Sequence, residues 1–222
     1  FCAPIRVPDE VMLVIMPKGG ADDFRALFHE AGHALHYALT DPDLPFALQL
    51  LGDSSVTETY AFLMDHLTHN ERWLRGVLGA EAVEEFLAQS RFHKLWYLRR
   101  YAAKLLYELE LHQAPAWEAL PDRYARGLSE ALGVRVSPVN YLADVDDGYY
   151  AARYLRAWML QAHVAAWLEA DCGVEWFLRP AAGARLRALW RQGDSLSGEE
   201  LAAHVGATGI DPEPLLRELV GA

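Results

Sequence analysis

Hydrophobic and polar positions follow a helical pattern over most of the chain. The segment DDFRALFHEAGHALHYALTDPD predicts a first helix, which Asp22 or Asp23 can cap and which the Asp41-Pro42 step ends. The segment LGDSSVTETYAFLMDHLTH predicts a second helix, capped by Ser54 or Ser55. Both segments therefore predict helices with recognisable start signals.

The remaining segments extend the same pattern. Helices are predicted over about 80–112, 115–132 and 149–173, and shorter helices and turns follow up to the last residues. One short apolar run, VMLVIM at about 11–16, predicts a strand that a Pro and Gly-Gly turn ends. The pattern predicts a mainly α fold with a small β element near the N-terminus.

Composition and charge narrow the class of protein. The 222 residues are 52% hydrophobic and 23% charged, which is ordinary globular composition and enough for one sizeable domain. A formal charge of −11 argues against binding to nucleic acid or to anionic membranes. The sequence contains no apolar run long enough to span a membrane and no signal peptide pattern. Two cysteines form no disulfide framework, which favours a reducing, cytoplasmic setting.

The segment FHEAGHALHY carries the clearest candidate chemistry. His29 and His33 are four residues apart, so on a helix both imidazoles project from one face with Cβ atoms about 6 Å apart. Two neutral imidazoles in this arrangement can hold one divalent ion, and Glu30 beside them can take a proton from water. This is the H-E-x-x-H pattern of metallopeptidases.

A catalytic zinc site needs a third protein ligand and one open position. Glu58 on the second helix is the candidate, because two helices joined by a loop can pack antiparallel and bring it against the histidines. The segment from Ser55 to Glu58 also matches a capping box, in which the glutamate only bonds back to the cap residue. The rival carboxylates nearby are Asp41, Asp43, Asp53 and Asp65.

The other histidines are weaker candidates for metal binding. His36 lies one turn beyond His33, and a histidine in that position is more often packed, or an outer partner of a ligand, than a ligand itself. His66 and His69 share a helix face, so a second metal site there is an alternative. We treat the isolated histidines at 93, 112, 163 and 204 as structural or surface residues.

Four segments in this order resemble the thimet oligopeptidase and oligoendopeptidase F family of zinc peptidases. They are PKGGADDFRALFHEAGHALHYA, VTETYAFLMD, LLYELELH and DDGYYAARYLRAW, and the stretch they cover is about 1–158. The resemblance implies Zn²⁺, one per chain, on His29, His33 and Glu58, with Glu30 as the general base. It also implies that Asp65, seven residues after Glu58, is an outer carboxylate that orients a ligating histidine, with His36 nearby.

The resemblance implies a mainly α, zincin-type catalytic domain over 1–222. Members of that family are much longer and carry an N-terminal helical half that closes over a channel for peptides. The chain does not begin with methionine, so we expect the C-terminal part of a longer architecture, a partner chain that supplies the lid, or a shorter relative with an open cleft.

The tyrosines after the predicted connecting segment are the candidates for the substrate side. The family places a histidine a few residues before a Gly-Tyr pair and tyrosines on the next helix, which stabilise the oxyanion. Gly148-Tyr149 matches that pair, but aspartates and a valine stand at 144–147, where the histidine is expected. Tyr149 is therefore the predicted oxyanion donor, with Tyr150 or Tyr154 as the alternative. Tyr150 and Tyr154 are also predicted to contact substrate. Without the family, a tyrosine-rich helix more often indicates core packing.

These observations predict a zinc metallopeptidase that cleaves short peptides by means of metal-activated water. The missing histidine and the missing lid favour one alternative, a catalytically silent metal-binding fragment or interaction module of the same fold. A zinc hydrolase acting on another type of bond is a third possibility, because the metal, water and base are chemically general.

Overall fold

The computed structural model describes residues 1–114 and 116–220 and confirms a mainly α fold with a small N-terminal β element. The strands are β1 Cys2–Arg6 and β2 Glu10–Leu13. The α-helices are α1 Ala21–Ala38, α2 Phe46–Leu50, α3 Ser54–Leu67, α4 Glu71–Gly76, α5 Glu84–Gln113, α6 Leu120–Leu132, α7 Tyr150–Cys172, α8 Pro180–Trp190, α9 Gly198–His204 and α10 Glu213–Val220. Short 3-10 helices cover Pro138–Asn140, Asp147–Tyr149 and Trp176–Leu178. The first residue of the helix predicted at 115–132 lies outside the described part of the chain.

The chain forms two compact units. The first consists of residues 1–87 and 156–220, and the second of residues 88–114 and 116–155. The long helices α5 and α7 each contribute to both units. The first unit contains the HEAGH segment, and the second contains the tyrosines predicted to face substrate.

The β element is a two-stranded antiparallel hairpin that packs against α1. Cys2 pairs with Leu13, and Ala3 pairs with Met12. The strand predicted at 11–16 corresponds to β2, which ends at Leu13 and is shorter than predicted. The pattern did not predict β1, where Pro4 interrupts the strand sequence and a register shift follows it.

Helix α1 begins without a side-chain cap, so the predicted cap at Asp22 or Asp23 is wrong. The helix starts after Gly20, whose φ of 96° lies in the region that favours glycine. The Asp23 carboxylate instead accepts hydrogen bonds from the backbone N–H groups of Lys18 and Gly19. Both aspartates lie in the first turn, where the positive end of the helix dipole stabilises their negative charge.

Helix α3 is capped by Asp53, not by Ser54 or Ser55. The Asp53 carboxylate accepts from the Ser55 N–H and from the Ser55 hydroxyl, at 2.9 and 2.7 Å. It also accepts from the N–H of Gly198, at 2.9 Å, and so joins the starts of α3 and α9. Because Ser55 lies inside the helix, the capping-box alternative for Glu58 is wrong.

Each unit has its own hydrophobic core. The core of the first unit is built on α3, α7, α8 and α9, and its buried residues include Val56, Leu63, Leu168, Leu189 and Leu201. In the second unit, Leu111, Leu120 and Leu128 pack with Tyr107 and Tyr124. In the described ranges, the helices are all too short or too polar to cross a membrane.

Candidate metal centre

The crossing of α1 and α3 depends on Gly32. A Cβ atom at this position would lie 2.5 Å from both the Ala61 Cα and the Tyr60 carbonyl oxygen. Only a residue without a side chain allows two helix backbones to approach this closely. The contact brings the face of α1 that carries His29 and His33 against the turn of α3 that carries Glu58.

The three predicted ligands converge at this crossing. The Nε2 atoms of His29 and His33 lie 3.5 and 3.6 Å from Glu58 Oε2, and the three ligand atoms are within 4.8 Å of one another. Ligands about 2.0–2.1 Å from a tetrahedral zinc ion are separated by about 3.4 Å, so the observed spacing fits a zinc-sized ion. In residues 1–114 and 116–220, no other group of three His, Cys, Asp or Glu side chains has such a spacing.

Neighbouring side chains on α3 orient both imidazoles. His29 Nδ1 lies 3.2 Å from Asp65 Oδ2, and His33 Nδ1 lies 2.9 Å from Thr57 Oγ1. When each Nδ1–H donates to its oxygen partner, the lone pair of Nε2 stays available for a metal. Asp65 thus makes the contact that its predicted role requires.

The two histidines have opposite pKa shifts. Burial by itself lowers the pKa of His29, but hydrogen bonds to Asp65 and Glu58 outweigh it and raise that pKa to about 9. Burial lowers the pKa of His33, which keeps its imidazole neutral at pH 7. In the metal-free protein His29 is therefore a cation between two carboxylates, and a metal ion must displace its proton.

This displacement predicts a pH dependence of metal affinity. Because His29 is protonated below pH 9, affinity should rise by about tenfold per pH unit between pH 6.5 and 8. Calorimetric titration of the metal-free protein with zinc at several pH values measures this slope. Asp65→Asn removes one of the carboxylates that raise the pKa of His29. The zinc affinity of this variant should therefore change less steeply with pH than that of wild type. A wild-type affinity that does not change over this range would contradict the prediction.

Glu30 lies on α1 beside His29, next to the β hairpin. Its side chain is 21% exposed, and Oε1 is 3.7 Å from the backbone nitrogen of Phe1. The carboxylate is therefore accessible to water and is not one of the three clustered ligands. Such a position suits a group that takes up a proton from water.

His36 occupies a different environment from His29 and His33. Its ring is fully buried, packs on Tyr60 with 4.9 Å between ring centroids, and has Nε2 4.0 Å from Asp194 Oδ1. Burial lowers the pKa of His36 to about 4, so the imidazole is neutral. These contacts are those of a packed histidine, which is one of the two roles that its spacing predicts.

The rival ligands have other partners. Asp41 pairs with Arg191, and Asp53 caps α3. His66 Nδ1 lies 3.2 Å from Glu218 Oε1, which is a histidine–carboxylate pair and not a three-ligand group. Glu58 is therefore the carboxylate that the fold brings to the two histidines.

Comparison with protein-family models and with curated proteins identifies no relative of the chain. No protein-family model matches the chain, and no curated protein is significantly similar to it. The resemblance to the zinc oligopeptidases thus stays a prediction from short segments, and any function must be argued from the side chains themselves.

The predicted substrate-side tyrosines lie in the second unit. Tyr149 has a φ of 55°, and its ring centroid is 5.3 Å from that of His112. The rings of Tyr150 and Tyr154 are 5.0 Å apart, and Tyr154 also contacts Tyr101 at 5.2 Å. Tyr150 and Tyr154 are thus part of a cluster of aromatic rings in edge-to-face contact, and their role in binding substrate stays a prediction.

Two residues that shape the candidate metal centre were not predicted from the sequence. Thr57 has no signal of its own, because a threonine before a candidate ligand is common on any helix. Gly32 did carry a signal, since a glycine inside a helix costs about 1 kcal/mol and needs a packing reason. The close approach of α1 to α3 is that reason.

Proposed function

We propose that the protein is a zinc-dependent peptidase that hydrolyses short peptides. The observation that carries the proposal is the convergence of His29 Nε2, His33 Nε2 and Glu58 Oε2 within 4.8 Å, with Glu30 adjacent. Two imidazoles and one carboxylate are a typical ligand set of catalytic zinc, and they leave a fourth position open.

The chemistry of the ligands favours zinc, one ion per chain. Imidazole and carboxylate donors suit Zn²⁺, although such a site also accepts manganese or cobalt. When bound, the ion would act as a Lewis acid that activates water and polarises a carbonyl group. Asp65 and Thr57 hold the imidazoles in the orientation that this requires.

The remaining steps belong to side chains of the protein. Glu30 takes the proton from the attacking water and delivers it to the leaving nitrogen. The Tyr149 hydroxyl donates a hydrogen bond to the negative charge that develops on the carbonyl oxygen. Tyr150 and Tyr154 contact the peptide. The resemblance of four segments to zinc oligopeptidases supports these roles and the choice of a peptide as substrate.

The first experiment compares the metal content of wild type and Glu58→Ala by mass spectrometry. We expect about one zinc per wild-type chain and an affinity reduced by more than about 100-fold in the variant, since loss of an outer partner alone costs about 10- to 100-fold. Glu130→Ala, which removes an exposed carboxylate on α6, should keep its zinc. Zinc that stays bound to Glu58→Ala would contradict the ligand set.

A peptide library then tests the activity of the zinc-loaded protein. Cleavage that a chelator abolishes and zinc restores is the expected result. Stoichiometric zinc without cleavage of any peptide would support the alternative, a catalytically silent metal-binding module. Cleavage that a chelator does not affect would contradict a metallopeptidase.

We also propose that the protein acts in the cytoplasm. Both cysteines, Cys2 and Cys172, are free thiols, which is usual in a reducing compartment. Fractionation of the native cells with an antibody to the chain tests this. A signal confined to the secreted fraction would contradict it.

A further inference from the structure

The segment before α7 holds a strained backbone. Gly148 has φ 61° and ψ 35°, and the next residue, Tyr149, has φ 55°. Tyr149 is the non-glycine residue with positive φ among residues 1–114 and 116–220. A bulky side chain in this region costs about 1–3 kcal/mol, so surrounding contacts must hold it there. Residues 144–149 are called the tyrosine loop below.

Three side chains on one face of α5 contact the tyrosine loop. Lys104, Glu108 and His112 are spaced by four residues, so they lie above one another along the helix. Lys104 Nζ is 2.6 Å from Asp146 Oδ2, and Glu108 Oε1 accepts a hydrogen bond from the Asp146 N–H at 3.0 Å. The ring of His112 meets the ring of Tyr149 edge to face, at 5.3 Å.

Glu108 is the unusual member of this row. It is fully buried, and its Oε2 has no hydrogen-bond partner within the described part of the chain. Burial raises the pKa of Glu108 above its ordinary value, although the hydrogen bond from the Asp146 N–H and the positive charge of Lys104 oppose the shift. A buried carboxylate is costly, and its only hydrogen bond here, among the described residues, is the one that holds the loop backbone.

A second anchor fixes the start of the tyrosine loop. The Asp144 carboxylate accepts hydrogen bonds from Arg100 at 2.6 Å and from the Tyr124 hydroxyl at 2.8 Å. With Asp144 held from its side chain and Asp146 held from its backbone, the chain that leads to Gly148 has little freedom. These contacts all lie in the second unit.

We propose that Glu108 is a positioning residue, which holds the tyrosine loop through Asp146 and so keeps Tyr149 in its left-handed conformation against His112. The inference rests on the proposed function in one respect, namely that the Tyr149 hydroxyl serves the reaction. A tyrosine fixed by its backbone presents its hydroxyl in one place, and such preorganisation is what a hydrogen-bond donor to a developing charge needs.

Two variants of Glu108 distinguish its role as the hydrogen-bond acceptor that holds the loop from its role as a buried charge. Glu108→Gln keeps a carbonyl oxygen that can accept from the Asp146 N–H, so it should rescue the loop. Glu108→Ala removes the acceptor and should release the loop. We expect kcat to fall by about 10- to 1,000-fold in Glu108→Ala, with zinc content unchanged, and to stay near wild type in Glu108→Gln.

The Tyr149→Phe background tests whether Glu108 acts through the tyrosine. Since Tyr149→Phe already lacks the hydroxyl, adding Glu108→Ala should lower kcat no further. Losses that multiply in the double variant would overturn the proposal, as would an unchanged kcat in Glu108→Ala. Thermal melts of each variant verify that it is folded under the assay conditions.

A readout without turnover keeps the inference separate from the proposed function. The NMR signal of the His112 ring senses the Tyr149 ring, so Tyr149→Leu gives its position when that ring is absent. In Glu108→Ala the His112 signal should move toward that position, and in Glu108→Gln it should not. If the zinc-loaded wild type cleaves no peptide, the proposed function fails, and the His112 signal alone decides whether Glu108 holds the loop. An unchanged His112 signal in Glu108→Ala would overturn the proposal.

Discussion

Replacing Glu30 with glutamine should abolish peptide turnover while the metal stays bound. Glutamine has the same shape as glutamate but cannot take up a proton, and general-base catalysis contributes about 10²- to 10⁴-fold to a rate. The ligand atoms of His29, His33 and Glu58 do not include the Glu30 carboxylate, so zinc content should equal that of wild type. Rates of peptide cleavage and metal content, measured on the same preparation, test both parts.

Asp22→Asn is the matched control for Glu30→Gln. Asp22 lies on the same helix, and the change also removes one negative charge, but its side chain is 93% exposed. Its turnover should remain within about twofold of wild type, as expected for a surface substitution. A Glu30→Gln variant that cleaves peptides at the wild-type rate would remove Glu30 from the mechanism. If that variant instead lost its zinc, Glu30 would have a role in metal binding.

The HEAGH segment could be interpreted from sequence because its geometry is local. A spacing of four residues on a helix places two imidazoles together whatever the rest of the fold does. Glu58 is 25 residues further on, so its distance from His33 depends on how α1 and α3 pack. The same glutamate also matched a capping box, and only the position of Asp53 at the start of α3 removes that alternative.

Other features depend on contacts that no short pattern encodes. Thr57 reaches His33 only because α3 presents that face to α1. The first strand, β1, has a proline and an irregular register, so its alternation is weak. The row of Lys104, Glu108 and His112 has helical spacing in the sequence, yet its partner segment lies about 40 residues away. Its significance appears only when the loop at 144–149 is seen against α5.

Gly32→Ala should destabilise the fold and also lower the zinc affinity of the candidate metal centre. The added Cβ would lie 2.5 Å from backbone atoms of Tyr60 and Ala61, which cannot rotate away as a side chain can. Helices α1 and α3 must then separate, at a cost of about 2–3 kcal/mol, or roughly 5–10 °C in melting temperature. The same separation moves His29 and His33 away from Glu58, so zinc affinity should fall by about tenfold or more. Calorimetry gives both quantities.

Gly127→Ala is the control, because it makes the same change in a helix with open space. No heavy atom lies within 4 Å of a Cβ at Gly127, which is exposed on α6. Alanine is the better helix former there, so this variant should be more stable by about 0.5–1 kcal/mol and should bind zinc as wild type does. The two glycine substitutions therefore have opposite expected signs. A Gly32→Ala variant as stable as Gly127→Ala, with full zinc affinity, would show that the close crossing of α1 and α3 does not build the metal centre.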